Sequence, residues 1–247
     1  MLKIVLLMAL SAYVSAQTYD YCLEVGKPNC GSEHIACEPN SFGTPADVTD
    51  IQFVPMTDAL KARIVAKHNE YRRRVAKGQE TGIPAATKME EMKWDENLAY
   101  VASEHAKHGN FTHDKCRSTP DYPYSGQNLA AGTSSRAYSD PGATIDAYIK
   151  MWYDEMPIVR DQVPSCVSKF TTSPNCMPAG HFTAVVKDKN KAVGCSAVTY
   201  KKGSSYGFLL TCNYPDTNML NQPTYVSGTS CSACASVGKT CNDGLCA

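Results

Sequence analysis

The sequence predicts an α+β domain. Three amphipathic helical segments occupy the middle of the 247-residue chain, strand-like segments fill its last third, and no βαβ alternation links the two. A doubly wound dinucleotide fold is thereby disfavoured, and neither GxGxxG, P-loop, HExxH nor GxSxG occurs.

The first sixteen residues are read as a signal peptide. Lys3 precedes the apolar run "IVLLMAL", and "SAYVSA" ends on the small-x-small pattern cut after Ala16. That run is too short to span a bilayer, and no later segment offers about twenty unbroken apolar residues. The mature protein is expected to be secreted, extracellular and without a transmembrane segment. Residues 17–56, rich in Cys, Pro, Asn and Gly, show no sustained period and are read as a stapled loop extension.

"TDALKARIVAKHNEYRRRVAKG" places Leu60, Ile64, His68, Tyr71 and Val75 on one stripe, with Thr57 as cap and Gly78 as stop. Arg72, Arg73 and Arg74 are expected to form one wet helix face. "WDENLAYVASEHAKHG" gives a second helix, capped by Asp95 and stopped by Gly109, with Leu98, Val101, Ala102 and His105 on its apolar face. A third begins at Asp140-Pro141 and turns Ile145, Tyr148, Ile149, Trp152 and Met156 inward. "HFTAVVK", "AVGCSAVTY" and "YGFLLTCNY" read as strands, the last two joined by a turn at Lys201–Ser204.

Composition excludes some partners. With 24 basic and 24 acidic side chains, loss of Lys3 with the leader leaves the chain one unit acidic, giving no electrostatic pull toward nucleic acid or anionic membrane. Twelve cysteines in an exported chain predict six disulfides rather than zinc sites. Cys231 and Cys234 form a CxxC that could be redox-active in a reducing compartment; in a secreted tail, structural pairing is the better reading.

Four stretches taken together, "KHNEYR" (67–72), "SGQNLA" (125–130), "AGHFTAVV" (179–186) and "LLTCNY" (209–214), resemble the signatures of the CAP superfamily of cysteine-rich secretory, antigen-five and pathogenesis-related proteins. The likeness spans residues 57–222. "GQE" (78–80), "KMWYDE" (150–155) and "HIAC" (34–37) resemble the insect antigen-five branch, whose members are venom or salivary allergens. The resemblance implies a three-layer α-β-α sandwich and a central cleft formed by His113, Gln127, Glu155 and His181. In the family the two imidazoles often bind zinc or another divalent metal, so His113 and His181 are the candidate ligands. Two neutral imidazoles suit zinc, but Gln127, where many relatives carry Glu, can neither ionise nor act as a base, so weak metal binding is expected. A structural role remains the alternative for His181, since a histidine beside a strand is usually a hydrogen-bonded core residue.

His68 and Asn69 are read as structural hydrogen-bonding residues, and Gln127 and Asn128 as groups that satisfy buried backbone. His105, His108 and His34 are read as solvated. The antigen-five pattern implies Cys22–Cys37, Cys30–Cys116 and Cys195–Cys212; Cys166 and Cys176 remain as a local staple before His181. One bridge common in relatives is absent, with Gly109 at one of its positions. "CSACASVGKTCNDGLC" within residues 223–247 resembles the hinge of cysteine-rich secretory proteins, implying Cys231–Cys241 and Cys234–Cys246. Lys187 stands where the family carries tryptophan, so the strand end there is either exposed or repacked. Asn110-Phe111-Thr112 is an N-glycosylation sequon, so a glycan on Asn110 is expected, with an unoccupied site as the alternative.

The resemblance implies a secreted binding protein that holds a metal and, between its helices, a small hydrophobic ligand such as a sterol, fatty acid or eicosanoid. Two alternatives stand beside it. One is a metal-dependent hydrolase or redox enzyme using Glu155 and His181. The other is a recognition or channel-modulating factor acting through its surface on host extracellular proteins. No paired nucleophile supports the former.

Overall fold

The computed structural model describes residues 19–22, 30–38 and 40–247. The expected signal peptide and part of the extension lie outside them. A four-strand antiparallel path, β1 (Val48–Phe53), β4 (Ala192–Lys202), β5 (Ser205–Tyr214) and β3 (Gly126–Ser134), forms the central sheet. A short β2 (Lys93–Trp94) pairs parallel with Ala192 and Val193 of β4. The β4–β5 hairpin turns at Gly203, as the sequence predicts.

Period-two alternation gives β3, β4 and β5 two buried faces. Ala197, Phe208, Leu210 and Ala130 join the large core built with α1 (Asp58–Ala76), α3 (Pro141–Tyr153) and α5 (Gly180–Val185). Their neighbours Val198, Leu209 and Ala131 join a second core against Ala106 of α2 (Glu96–Ala106). The result is a three-layer α-β-α sandwich, with α4 (Met156–Asp161) completing the larger helical layer. Helix α2 packs so close to the sheet that a Cβ at Gly194 would collide with the Ala99 backbone nitrogen.

Local signals set the helix starts. Thr57, Asp95 and Asp140 accept from the amides of Leu60, Leu98 and Ala143 at 3.3, 2.8 and 2.9 Å. Past the end of α2, Gly109 has φ +57°, and a Cβ there would lie 2.8 Å from Val48 Cγ1. The position at which relatives carry a cysteine therefore has no room for a side chain in this packing.

Several expectations are corrected. Residues 180–185 form helix α5 instead of a strand, because a side chain from elsewhere supplies the cap that the local sequence lacks. Strand β1 lies in the segment read as loop, and β3 is a nine-residue strand that its small and polar residues conceal. Arg72 is fully buried rather than solvated: its guanidinium donates to the carbonyls of Glu90, Val185 and Lys187 at 2.7–3.2 Å. Burial lowers its pKa to about 10. Lys187 is buried too, with Nζ 3.2 Å from the Pro223 carbonyl and 3.7 Å from Asp216, so the missing tryptophan has been replaced by repacking.

His34 and His105 are likewise buried, not solvated. His34 donates from Nε2 to the Ser118 carbonyl at 2.8 Å and accepts the Ala36 amide on Nδ1. His105 donates from Nε2 to the Thr112 carbonyl and accepts from the Thr211 hydroxyl on Nδ1. His108 is mostly buried, and its Nε2 lies 3.9 Å from Glu38.

The disulfides are Cys22–Cys37, Cys30–Cys116, Cys166–Cys176, Cys195–Cys212, Cys231–Cys241 and Cys234–Cys246. The last two tie a segment that lies along residues 85–91 through backbone hydrogen bonds such as Cys246 N to Met89 O at 2.8 Å. Its short strands, β6 (Cys241–Asn242) and β7 (Leu245–Cys246), pair with each other.

Candidate functional site: an imidazole-lined cleft

The cleft at the start of β3 has a volume of about 330 Å³. His113, Gln127, Asn128 and His181 line it, with Phe170 and Met177 on its apolar side. Glu155, between α3 and α4, lies behind His181.

Consecutive residues of β3 point to opposite faces of the sheet. Gln127 turns toward the α2 layer, where its Oε1 accepts from His113 Nδ1 at 2.7 Å. Asn128 turns toward α5 and donates to the carbonyl of His181 at 3.1 Å and to Tyr214 Oη at 3.4 Å. One dipeptide thus holds the ring of His113 and the backbone of His181. Gln127 satisfies side chains rather than the backbone groups expected of it; Asn128 does engage backbone.

Glu155 makes three contacts. Its Oε1 accepts from His181 Nδ1 at 2.6 Å, and its Oε2 accepts the amides of His181 and Phe182 at 2.9 and 3.1 Å. The two amides are orphan donors of the first turn of α5, so the carboxylate caps that helix from outside it. The cap explains why a strand-like sequence is helical there. Trp152 stacks on the His181 ring at 6.2 Å between centroids and 16° between planes, and its own Nε1 donates to the Leu129 carbonyl.

Each imidazole therefore has Nδ1 committed to an oxygen acceptor. No hydrogen bond to Nε2 of either ring occurs among the described residues, and both rings line the cleft. Burial lowers the pKa of His113, the nearby Arg117 and His181 lower it further, and the bond to Gln127 opposes them. His113 is thus held neutral, the form in which imidazole donates a lone pair.

His68 lies outside the cleft wall. Its Nδ1 donates to the Ile64 carbonyl at 2.8 Å and its Nε2 accepts from the Tyr214 hydroxyl at 2.9 Å. Asn69 clamps residue 92 by donating to the Met92 carbonyl and accepting its amide, both at 2.9 Å. Asn110 is partly exposed, its Nδ2 donating to the Gly43 carbonyl at 2.8 Å.

Sequence reasoning missed Asp114, Arg117 and Asn213. Gln127 Nε2 donates to Asp114 Oδ2 at 2.8 Å and to Asn213 Oδ1 at 3.2 Å. Arg117 Nε forms an ion pair with Asp114 Oδ1 at 2.9 Å that is poorly aligned as a hydrogen bond. The acidic residue beside a candidate ligand, followed three positions later by arginine, was the available signal.

The model of the CAP family, described as the cysteine-rich secretory protein family, matches residues 65–214. The chain belongs to the CAP family. Within it the chain is antigen-five-like. It is 37% identical over 215 residues to venom allergen-1 of Aedes albopictus, covering 86% of this chain and 82% of that protein. It is also 37% identical over 206 residues to venom allergen 5 of Dolichovespula arenaria, covering 81% and 88%. Among solved structures, NaASP2 with zinc superposes with TM-score 0.61 at 24% identity, covering 83% of this chain and 100% of that one. BmVAL-1 superposes with TM-score 0.66 at 24% identity over 77% and 94%. These two establish the fold.

A metal is the ligand that the family implies, and the donor set of this CAP cleft decides whether it fits. Two neutral imidazoles, each oriented by an oxygen at Nδ1, suit zinc coordination through Nε2. No group of three His, Cys, Asp or Glu side chains able to hold a metal occurs among the described residues. Among these residue types the cleft offers at most the two imidazoles as protein ligands.

Proposed function

We propose that this CAP protein is a secreted binding protein whose cleft holds a divalent metal between His113 and His181. The observation that carries the reading is the matched commitment of the two Nδ1 atoms, to Gln127 and to Glu155, which leaves two Nε2 lone pairs for one cleft. When bound, zinc would supply a Lewis-acidic centre with coordination positions left for water or a ligand donor. Only two protein ligands predict weak affinity.

Glu155 serves here as the orienting carboxylate of His181 and the cap of α5. A carboxylate engaged by three donors is poorly placed to activate water, so binding is favoured over hydrolysis or redox chemistry. Titration calorimetry with zinc tests the reading: wild type binds one ion, and His113→Ala with His181→Ala abolishes binding. Equal binding by the double variant would overturn it.

A small hydrophobic ligand such as a sterol, fatty acid or eicosanoid would meet the apolar wall of the cleft, Phe170, Met177 and Ala184. The helix stripes offer it less. Ile64, Ile145 and Ile149 are fully buried in the core, and the groove over α1 and α3 carries the charged Lys67, Glu70, Arg74, Lys150 and Asp154. Host extracellular proteins are the partners of a surface-acting alternative, which would survive the double histidine variant. Six disulfides support export to an oxidising compartment, and no helix among the described residues is long and apolar enough to cross a membrane. We assign residues 57–222 to the CAP domain proper, residues 17–56 to an extension whose β1 joins the central sheet, and residues 223–247 to a hinge-like tail. A glycan on Asn110 would leave one Nδ2 hydrogen for Gly43 and stand three residues from His113. Mass spectrometry of the exported protein checks the cleavage site and the glycan together.

A further inference from the structure

We propose that Asp114 is a positioning residue for the cleft: acting through the side-chain amide of Gln127, it sets which nitrogen of His113 carries the proton. The proposal rests on the metal-binding reading for its consequence, but its geometry stands apart from that reading.

The two ends of the Gln127 amide are chemically opposite, one accepting and one donating. Its nitrogen donates to Asp114 Oδ2 at 2.8 Å and to Asn213 Oδ1 at 3.2 Å. Asn213 is itself oriented, since its Nδ2 donates to the Leu98 carbonyl at 3.4 Å. Both neighbours of Gln127 Nε2 are thus acceptors. Turning the amide over would place its oxygen against a carboxylate and a carbonyl oxygen, with two donors lost in a buried setting. Gln127, Asp114 and Asn213 are 9%, 5% and 0% exposed, so little water is at hand to repair the loss. Oε1 must therefore face His113, and the 2.7 Å bond to Nδ1 requires a proton on Nδ1. The Nε2 lone pair is left toward the cleft.

Asp114 in turn is fixed by Arg117, whose Nε pairs with Oδ1 at 2.9 Å and whose guanidinium also donates to the Asp114 carbonyl at 2.5 Å. Each cleft imidazole is then backed by a carboxylate. For His181 it is Glu155 in direct contact; for His113 it is Asp114, one amide removed. A glutamine at position 127 is the partner that Asp114 requires. A carboxylate at 127 would face that of Asp114 at hydrogen-bonding distance, and two like charges so close cannot both stay ionised without cost.

The test uses the full chain and four variants: Asp114→Ala, Asp114→Asn, Gln127→Glu, and Asp114→Asn combined with Gln127→Glu. The tautomer of His113 is read by two-bond ¹H–¹⁵N correlation NMR without metal, and zinc affinity by calorimetry. Wild type should show the single Nδ1–H tautomer. Asp114→Ala should give a mixture and bind zinc about 10-fold more weakly, at the low end of the effect of removing an orienting partner. Gln127→Glu alone should be impaired in folding or zinc binding. In the double variant the charge moves one step closer and the introduced amide donates back to it, so the Nδ1–H tautomer and zinc binding should recover relative to Gln127→Glu, short of wild type because Asn213 Oδ1 still faces an acceptor. A single unchanged tautomer in Asp114→Ala overturns the proposal, as does a double variant no better than Gln127→Glu. If Asp114→Ala fails to fold, the swap alone decides. If wild type binds no zinc yet Asp114→Ala loses the single tautomer, the positioning role stands and the metal reading falls.

Discussion

Removing the Glu155 carboxylate should separate stability from metal binding. In Glu155→Ala, the amides of His181 and Phe182 lose their acceptor at 2.9 and 3.1 Å, and His181 Nδ1 loses one at 2.6 Å. Loss of a helix cap costs about 1 kcal/mol, and a hydrogen bond to a charged group about 1.5–3 kcal/mol. The Glu155 side chain is 21% exposed and that of His181 35%, so water recovers part of this. A net loss of about 2–3 kcal/mol is expected, which lowers Tm by about 4–12 °C for a domain of this size. Glu155→Gln should behave differently. Its oxygen can still accept the two backbone amides, so stability falls by only about 1 kcal/mol. Its nitrogen, however, now faces His181 Nδ1, which must become an acceptor, moving the ring proton to Nε2 and removing the lone pair a metal needs. Zinc affinity should drop about 10- to 100-fold. Urea unfolding followed by circular dichroism with disulfides intact gives the stabilities, and calorimetry gives the affinities. A Glu155→Gln variant that binds zinc like wild type, or a Glu155→Ala variant as stable as wild type, would refute the reasoning.

Three further outcomes are expected. Arg72→Met should lose about 3–5 kcal/mol, because three carbonyls that the guanidinium satisfies are left in the interior; a urea midpoint close to wild type would contradict this. Burial pulls the pKa of His68 from 6.5 down to about 4, so the folded protein keeps the ring neutral while the unfolded chain takes up a proton below 6.5. The stability this ring contributes is fully present above pH 6.5 and lost as pH falls toward 4, by about 3 kcal/mol. His68→Gln should flatten the pH dependence of the urea midpoint by about one proton, and an unchanged slope would exclude the assignment. Replacing Cys166 and Cys176 together by Ala should cost about 2–3 kcal/mol and, by loosening the segment that brings Phe170 and Met177 to the cleft, weaken zinc binding; unaltered affinity would reject the second half.

What could be read from the chain was what is decided locally. The caps Thr57, Asp95 and Asp140 lie three residues from the amides they serve, so their helices were visible in the sequence. Helix α5 was not, since its cap arrives from Glu155, about 25 residues upstream, and its own residues Phe182, Thr183 and Val185 favour a strand. Arg72 and His105 fall between these cases. Arg72 is four residues beyond His68 on the apolar stripe, and His105 four beyond Val101, so helical spacing placed both inward while residue type argued outward. Spacing won because each found fixed partners: backbone carbonyls for Arg72, Thr211 and the Thr112 carbonyl for His105.

The cleft divides along the same line. Gln127 and Asn128 are adjacent, and alternation alone sends them to opposite faces of β3, so a reader who knew that segment to be a strand could have assigned Gln127 to the His113 side and Asn128 to the His181 side. Nothing local reveals the strand, because "GQNLAAGTS" is small and polar where a buried strand is usually branched and apolar. Its place is set by pairing with β5, which puts Gln127 opposite Asn213. That register brings together an amide from β3, an amide from β5 and a carboxylate from the 114 loop. At position 127, which from sequence looked like the loss of a charged group, the folded protein places a glutamine that bridges His113 to the carboxylate of Asp114 as a neutral link.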